Sequence, residues 1–236
     1  MLIEIWERAT TTSPPLPTAA SLAVAVLALA LTWSPGGYRL GRHLVTFVHE
    51  AGHALAGIAA GRQLTGIRLH ADTSGLTVSR GRRRGAGMVV TLAAGYPAPA
   101  LAGVGAAAAL GAGYAAGLLW ALVAACALTV PMLRNLYGLW AVVAMGAGVA
   151  ALSWLAPPDV LTATAYLLTW FLLLAAPRAV VDLHRQRRRR GAPASDADQL
   201  ACLSGLPASM WVGLFWLTCV AALLTGGWLL LPGLVR

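Results

Sequence analysis

Residues 43–60 read HLVTFVHEAGHALAGIAA. The stretch is apolar over about the length that crosses a bilayer, yet it carries His43, His49, Glu50 and His53. On a helix, His49 and His53 stand one above the other on the same face. Zinc takes such nitrogen donors, together with a third protein ligand and one open position for water. Glu50 follows the first histidine by one residue, so it lies beside such an ion and is placed to take a proton from the water. With five His and three Glu in 236 residues, the pattern arises by chance about once in a thousand such chains. Three ionisable groups within five residues of a lipid-embedded helix are costly unless a site uses them. The bland alternative is a pair of histidines in an interhelical hydrogen-bond network.

Outward from this stretch the chain is 58% hydrophobic and 11% charged, a balance that a water-soluble domain does not need. The expected fold is all-α, a polytopic bundle of about seven spans in a single domain, residues 1–236. The spans are placed at 16–33, 43–60, 86–112, 115–133, 136–155, 160–176 and 211–231. The first run lacks a basic cluster before it and a clean small-residue cleavage site after it, so it is expected to stay as a span. The net charge of +9 comes from arginines lying in the gaps between spans, which argues against a nucleic-acid partner. With the gap at 61–85 inside and seven crossings, only Arg39, Arg42 and Arg236 of the 17 basic residues fall outside. That places the N-terminus, with Arg8, in the cytoplasm and the metal site near the cytoplasmic third of the bilayer. Cys126, Cys202 and Cys219 have no metal spacing and imply no disulfide.

Between Leu64 and Arg80 the period changes to two, around the turn-rich Ala71-Asp72-Thr73-Ser74-Gly75, which predicts a short β-hairpin at the cytoplasmic face. Its exposed edge offers a way to capture an unwound substrate segment, and the plain alternative is a loop joining two spans. Gly103, Gly105, Gly111 and Gly113 fit close helix packing and need no chemistry. A polar segment at 178–207 contains Arg187 to Arg190, read as topogenic and attracted to anionic lipid. Trp211, Trp216 and Trp228 fit an interfacial belt around the last span.

The run Phe47 to Ala54, the hairpin with Ser74-Gly75, the Gly95-Tyr96-Pro97-Ala98-Pro99-Ala100-Leu101 segment, and Ser195 to Ala201 with Leu206-Pro207 and Trp211 together resemble the site-2 protease family. These intramembrane zinc metalloproteases include a compact bacterial branch that matches best. The resemblance implies His49 and His53 as zinc ligands, Glu50 as general base, and hydrolysis of a membrane-embedded, single-span partner in a bacterial plasma membrane, as in regulated intramembrane proteolysis.

Better-known members supply the third ligand as an aspartate from an Asn-Pro...Asp-Gly pattern, and this chain has no Asp-Gly. Of its five aspartates, Asp196 lies in the stretch that resembles the compact branch and is the expected ligand, with Asp182 and Asp198 as alternatives. Asp196 also reads as a helix N-cap, and Asp182 as an ion-pair partner of Arg178 or Arg185. Asp72 reads as a turn residue, and Asp159 falls at the wrong end of its span. Asn135 is a candidate oxyanion donor or a helix cap. Two other classes stay open: a catalytically idle relative that binds membrane partners, and a metal-ion or small-solute transporter.

Overall fold

The computed structural model of the chain describes residues 2–189 and 195–234, so Arg190 and Arg236, which entered the charge argument, lie outside the described residues. Ten α-helices and one hairpin follow in order: α1 (Leu2–Thr10), α2 (Thr18–Trp33), α3 (Pro35–Ala59), β1 (Gln63–Leu69), β2 (Gly75–Arg80), α4 (Ala86–Ala93), α5 (Pro97–Gly111), α6 (Ala115–Thr129), α7 (Leu136–Leu155), α8 (Pro158–Arg187), α9 (Asp196–Ser204) and α10 (Ala208–Leu230). The fold is the expected all-α membrane bundle with one small antiparallel sheet.

The span count differs from the expected seven. Four helical segments, at Ala115–Met132, Leu136–Leu155, Pro158–Arg187 and Ala208–Leu230, are long and apolar enough to cross a membrane. Two bent pairs raise the number to six if each pair is one span: α2 with α3, bent by 98°, and α4 with α5, bent by 63°. The first bend follows from Ser34-Pro35. Ser34 ends α2 in extended geometry, its side chain accepts from the Gly37 N–H at 3.2 Å, and Pro35, which has no N–H to offer, opens α3. The second bend follows from Gly95-Tyr96-Pro97, where the proline again begins the new helix. Residues 16–33 and 43–60 therefore lie in two helices joined at a sharp bend, which pass together as one candidate span.

This changes which ends of the bundle the segments share. The Arg8 guanidinium donates to the Trp154 carbonyl at 3.1 Å and lies 4.6 Å from the centroid of that indole, so α1 packs at the C-terminal end of α7. The hairpin packs at the N-terminal end of α7, where the Arg134 N–H donates to the Ile67 carbonyl at 2.9 Å. Twenty residues of helix separate them, about 30 Å. α1 and the hairpin therefore pack at opposite ends of α7.

Small residues let the helices of the centre approach. A Cβ on Gly103 of α5 would lie 2.8 Å from Leu173 Cδ2, and one on Gly226 of α10 would lie 2.9 Å from the same atom, so Leu173 fills the seam among α5, α8 and α10. Gly105 and Gly111 face open space instead. The sixth span runs past its expected end at 176, through Pro177, to Arg187, and the polar segment beyond it contains α9. Cys126 and Cys219 are buried, Cys202 is exposed, and all three are free thiols.

Candidate metal and catalytic site

The hairpin forms as its pattern predicts, with Leu69 opposite Gly75, Ile67 opposite Thr77, and a bulge between Leu64 and Gly66. Asp72 is its turn residue: it accepts from the Ser74 hydroxyl at 2.6 Å and the Ser74 N–H at 3.0 Å. Those two bonds hold its carboxyl below the usual aspartate range.

Four elements meet around the HEAGH turn of α3. His49 and His53 bring their Nε2 atoms to 3.0 Å, and Asp196 Oδ2 lies 3.3 Å from each of them. Adjacent donors around a tetrahedral ion with bonds of about 2.0 Å stand roughly 3.3 Å apart, so the three atoms are spaced as one zinc ion requires. His53 Nδ1 sits 2.7 Å from the Thr91 carbonyl of α4. A carbonyl only accepts, so the proton stays on Nδ1 and the Nε2 lone pair is left for a metal. His49 has no such partner among the described residues, but the Tyr96 ring meets it edge-on at 4.7 Å and is stacked on Phe215 at 5.3 Å.

The backbone at the α4–α5 break closes the cluster. A Cβ on Gly95 would stand 2.5 Å from His53 Nε2 and 2.7 Å from His49 Cε1. On the next face of α3, Glu50 is 4% exposed and accepts from the Thr77 hydroxyl of β2 at 2.6 Å. Gly75 lies against the same carboxylate, where a Cβ would fall 2.6 Å from Glu50 Cγ.

Asp196 reaches the histidines because α9 is fixed at its first turn. Ser195 and Asp198 form a capping box, and Arg187 at the end of α8 pairs with Asp198 through two nitrogens at 2.8 Å. Asp198 is thereby committed to the cap and stays out of the donor cluster. Asp182 is committed elsewhere too: it accepts from the Tyr38 hydroxyl at 3.0 Å and faces Arg42 at 3.8 Å, while Arg178 lies over the Tyr38 ring. Among the described residues, His49, His53 and Asp196 form the one group whose donor atoms could hold a metal ion.

Asn135, at the N-cap position of α7, turns its side-chain amide to the hairpin. Its Oδ1 accepts from the Leu69 N–H at 3.2 Å and its Nδ2 donates to the Leu69 carbonyl at 2.6 Å, so both ends of the amide bond to β1. With the Arg134 bond and the bridge between Ile67 and Leu133, they cover the outer edge of β1. No backbone–backbone bond joins β2 to a third strand among the described residues, which leaves β2 as the open edge.

Thr77, Gly75, Gly95 and the Thr91 carbonyl went unassigned in the sequence reading. A glycine directly after a turn and a Gly-Tyr-Pro inside an apolar run were the available signals, and neither says what lies opposite.

Bilayer-length apolar helices surround a His-His-Asp cluster with a carboxylate one position away, an arrangement in keeping with a membrane peptidase. The family model described as Peptidase M50B-like matches residues 22–226, and the chain accordingly belongs to the site-2 protease family. No curated protein and no solved structure matches the chain.

Proposed function

We propose that the chain is a zinc-dependent intramembrane endopeptidase that cuts single-span membrane proteins. The observation that carries this reading is the convergence of His49, His53 and Asp196 within 3.3 Å of one another, with Glu50 on the next face of the same helix turn. The donor set fits the ion in number, type and spacing. When bound, zinc supplies a Lewis acid that makes water acidic enough to lose a proton near neutral pH. Glu50 takes that proton on its carboxylate and returns it to the amide nitrogen of the leaving peptide. Thr77 and Gly75 fix where the Glu50 carboxylate stands, and the Thr91 carbonyl holds the proton on His53 Nδ1.

The open edge of β2 is the place for substrate. A helix must unwind before its backbone can be cut, and the extended segment so formed pairs with a free strand edge. Pairing on β2 brings the peptide beside Thr77 and Gly75, hence beside Glu50.

In a bacterial plasma membrane the arginine-rich end faces the cytoplasm. Arg62, Arg68, Arg80, Arg82, Arg83, Arg84 and Arg134 lie with the hairpin, and Arg187 lies with α9 at the metal cluster, whereas Arg8 stands at the far end of α7. The N-terminal helix is then external, opposite to the expectation from seven crossings.

Co-expression with a library of single-span proteins tests the function. Fragments should form with the wild type and vanish in Glu50→Gln while its zinc content holds. Fragments that persist in Glu50→Gln, or a wild type that purifies without zinc, overturn the proposal.

A further inference from the structure

We infer that the space enclosed by α3, the hairpin turn and α7 is a subsite for one small apolar side chain of the substrate, next to the bond that is cut. The inference rests on the endopeptidase reading and adds the substrate class.

A cavity of about 40 Å³ lies there, walled by His43, Thr46 and Phe47 of α3, Leu69, His70 and Ser74 of the hairpin, and Ala141, Val142 and Met145 of α7. Two of its walls run straight into the Glu50 contact. Thr46 is one helical turn before Glu50 on the same face of α3. Ser74 precedes Gly75, which packs on the Glu50 carboxylate. The walls are pinned together where they meet, since the Thr46 hydroxyl donates to the Thr73 carbonyl at 2.7 Å. A peptide whose scissile bond lies at Glu50 therefore has a neighbouring side chain at the mouth of this space.

The size follows from what can move. Phe47 is 4% and Val142 1% exposed, and both are packed into the core, so neither withdraws without opening a void elsewhere. Met145, unbranched and flexible, is the wall that sets the depth. A space of about 40 Å³ suits a side chain of one to three heavy atoms, from alanine to valine. Leucine and phenylalanine overfill it. An extra methylene against the fixed Phe47 and Val142 walls costs about tenfold or more in selectivity.

The test uses the full-length protein in membranes and single-span substrates randomised on both sides of the cleaved bond, with products read by mass spectrometry. The wild type should favour Ala, Ser or Val over Leu and Phe at one flanking position by tenfold or more. Met145→Ala should raise Leu relative to Ala by about tenfold, and Met145→Leu should leave the order unchanged. In a second arm, Met145→Cys combined with Glu50→Gln should form a disulfide with a substrate carrying cysteine at that position and not two residues away. Glu50-dependent cleavage with the same size order in Met145→Ala overturns the subsite and leaves the peptidase reading intact. A wild type that yields no Glu50-dependent fragments overturns the peptidase reading and the subsite with it.

Discussion

The Thr77 hydroxyl of β2 donates a 2.6 Å hydrogen bond to Glu50 Oε2 of α3, so the hairpin holds the proposed base in place. A hydrogen bond to a charged group contributes about 1.5–3 kcal/mol. Thr77→Val should therefore lower kcat/KM by roughly tenfold to a hundredfold, through kcat, with zinc content unchanged. Thr77→Ser keeps the hydroxyl and should restore most of the rate, and a Val variant as active as the wild type removes this role.

The Gly95 backbone lies against both imidazoles, and no side chain fits between. In Gly95→Ala the rings must turn or the α4–α5 break must shift. Metal affinity should fall about tenfold to a hundredfold, the range seen when the shell around a metal ligand is disturbed. Competition with a chelator, followed by zinc analysis, measures it without reference to activity. Gly75→Ala should do the converse, displacing the Glu50 carboxylate and costing rate while zinc stays bound.

Asp196 and Asp198 stand two residues apart with different tasks. Asp196→Ala removes one of three donors and should leave the purified protein with little zinc. Asp198→Ala loses the capping box and the pair with Arg187, which costs about 1 kcal/mol of helix stability, and should keep most of the metal. Equal zinc loss in the two variants would mean that α9 unfolds as a unit.

Thr11 and Arg83 stand at opposite ends of the bundle, since their segments pack at opposite ends of α7. With Cys202 replaced by serine, a membrane-impermeant thiol reagent should label Thr11→Cys on intact cells, and Arg83→Cys only after permeabilisation. Labelling of both from one side would restore the seven-crossing topology.

Much of the fold was legible in the sequence because lipid imposes a simple rule: about twenty apolar residues make a helix that crosses. The spans beginning near 115, 136, 158 and 208 follow from it, and the hairpin follows from its period of two and its turn residues. The rule does not reach the bend at Ser34-Pro35. A helix break between apolar runs looks the same whether the next run returns across the bilayer or continues the same crossing at 98°. The packing of α1 and the hairpin on opposite ends of α7 favours the second.

The site divides in the same way. HEAGH by itself set His49 and His53 on one face and Glu50 on the next, because helical spacing is local and needs no partner. What completes the cluster comes from far along the chain: Asp196 through the clamp of Arg187 on Asp198, Thr77 across the hairpin, and Gly95 at the break that Pro97 begins. Spacing along a helix is fixed within a few residues, whereas which of five aspartates meets two histidines depends on how α8 and α9 pack, and that is settled only when the whole bundle closes.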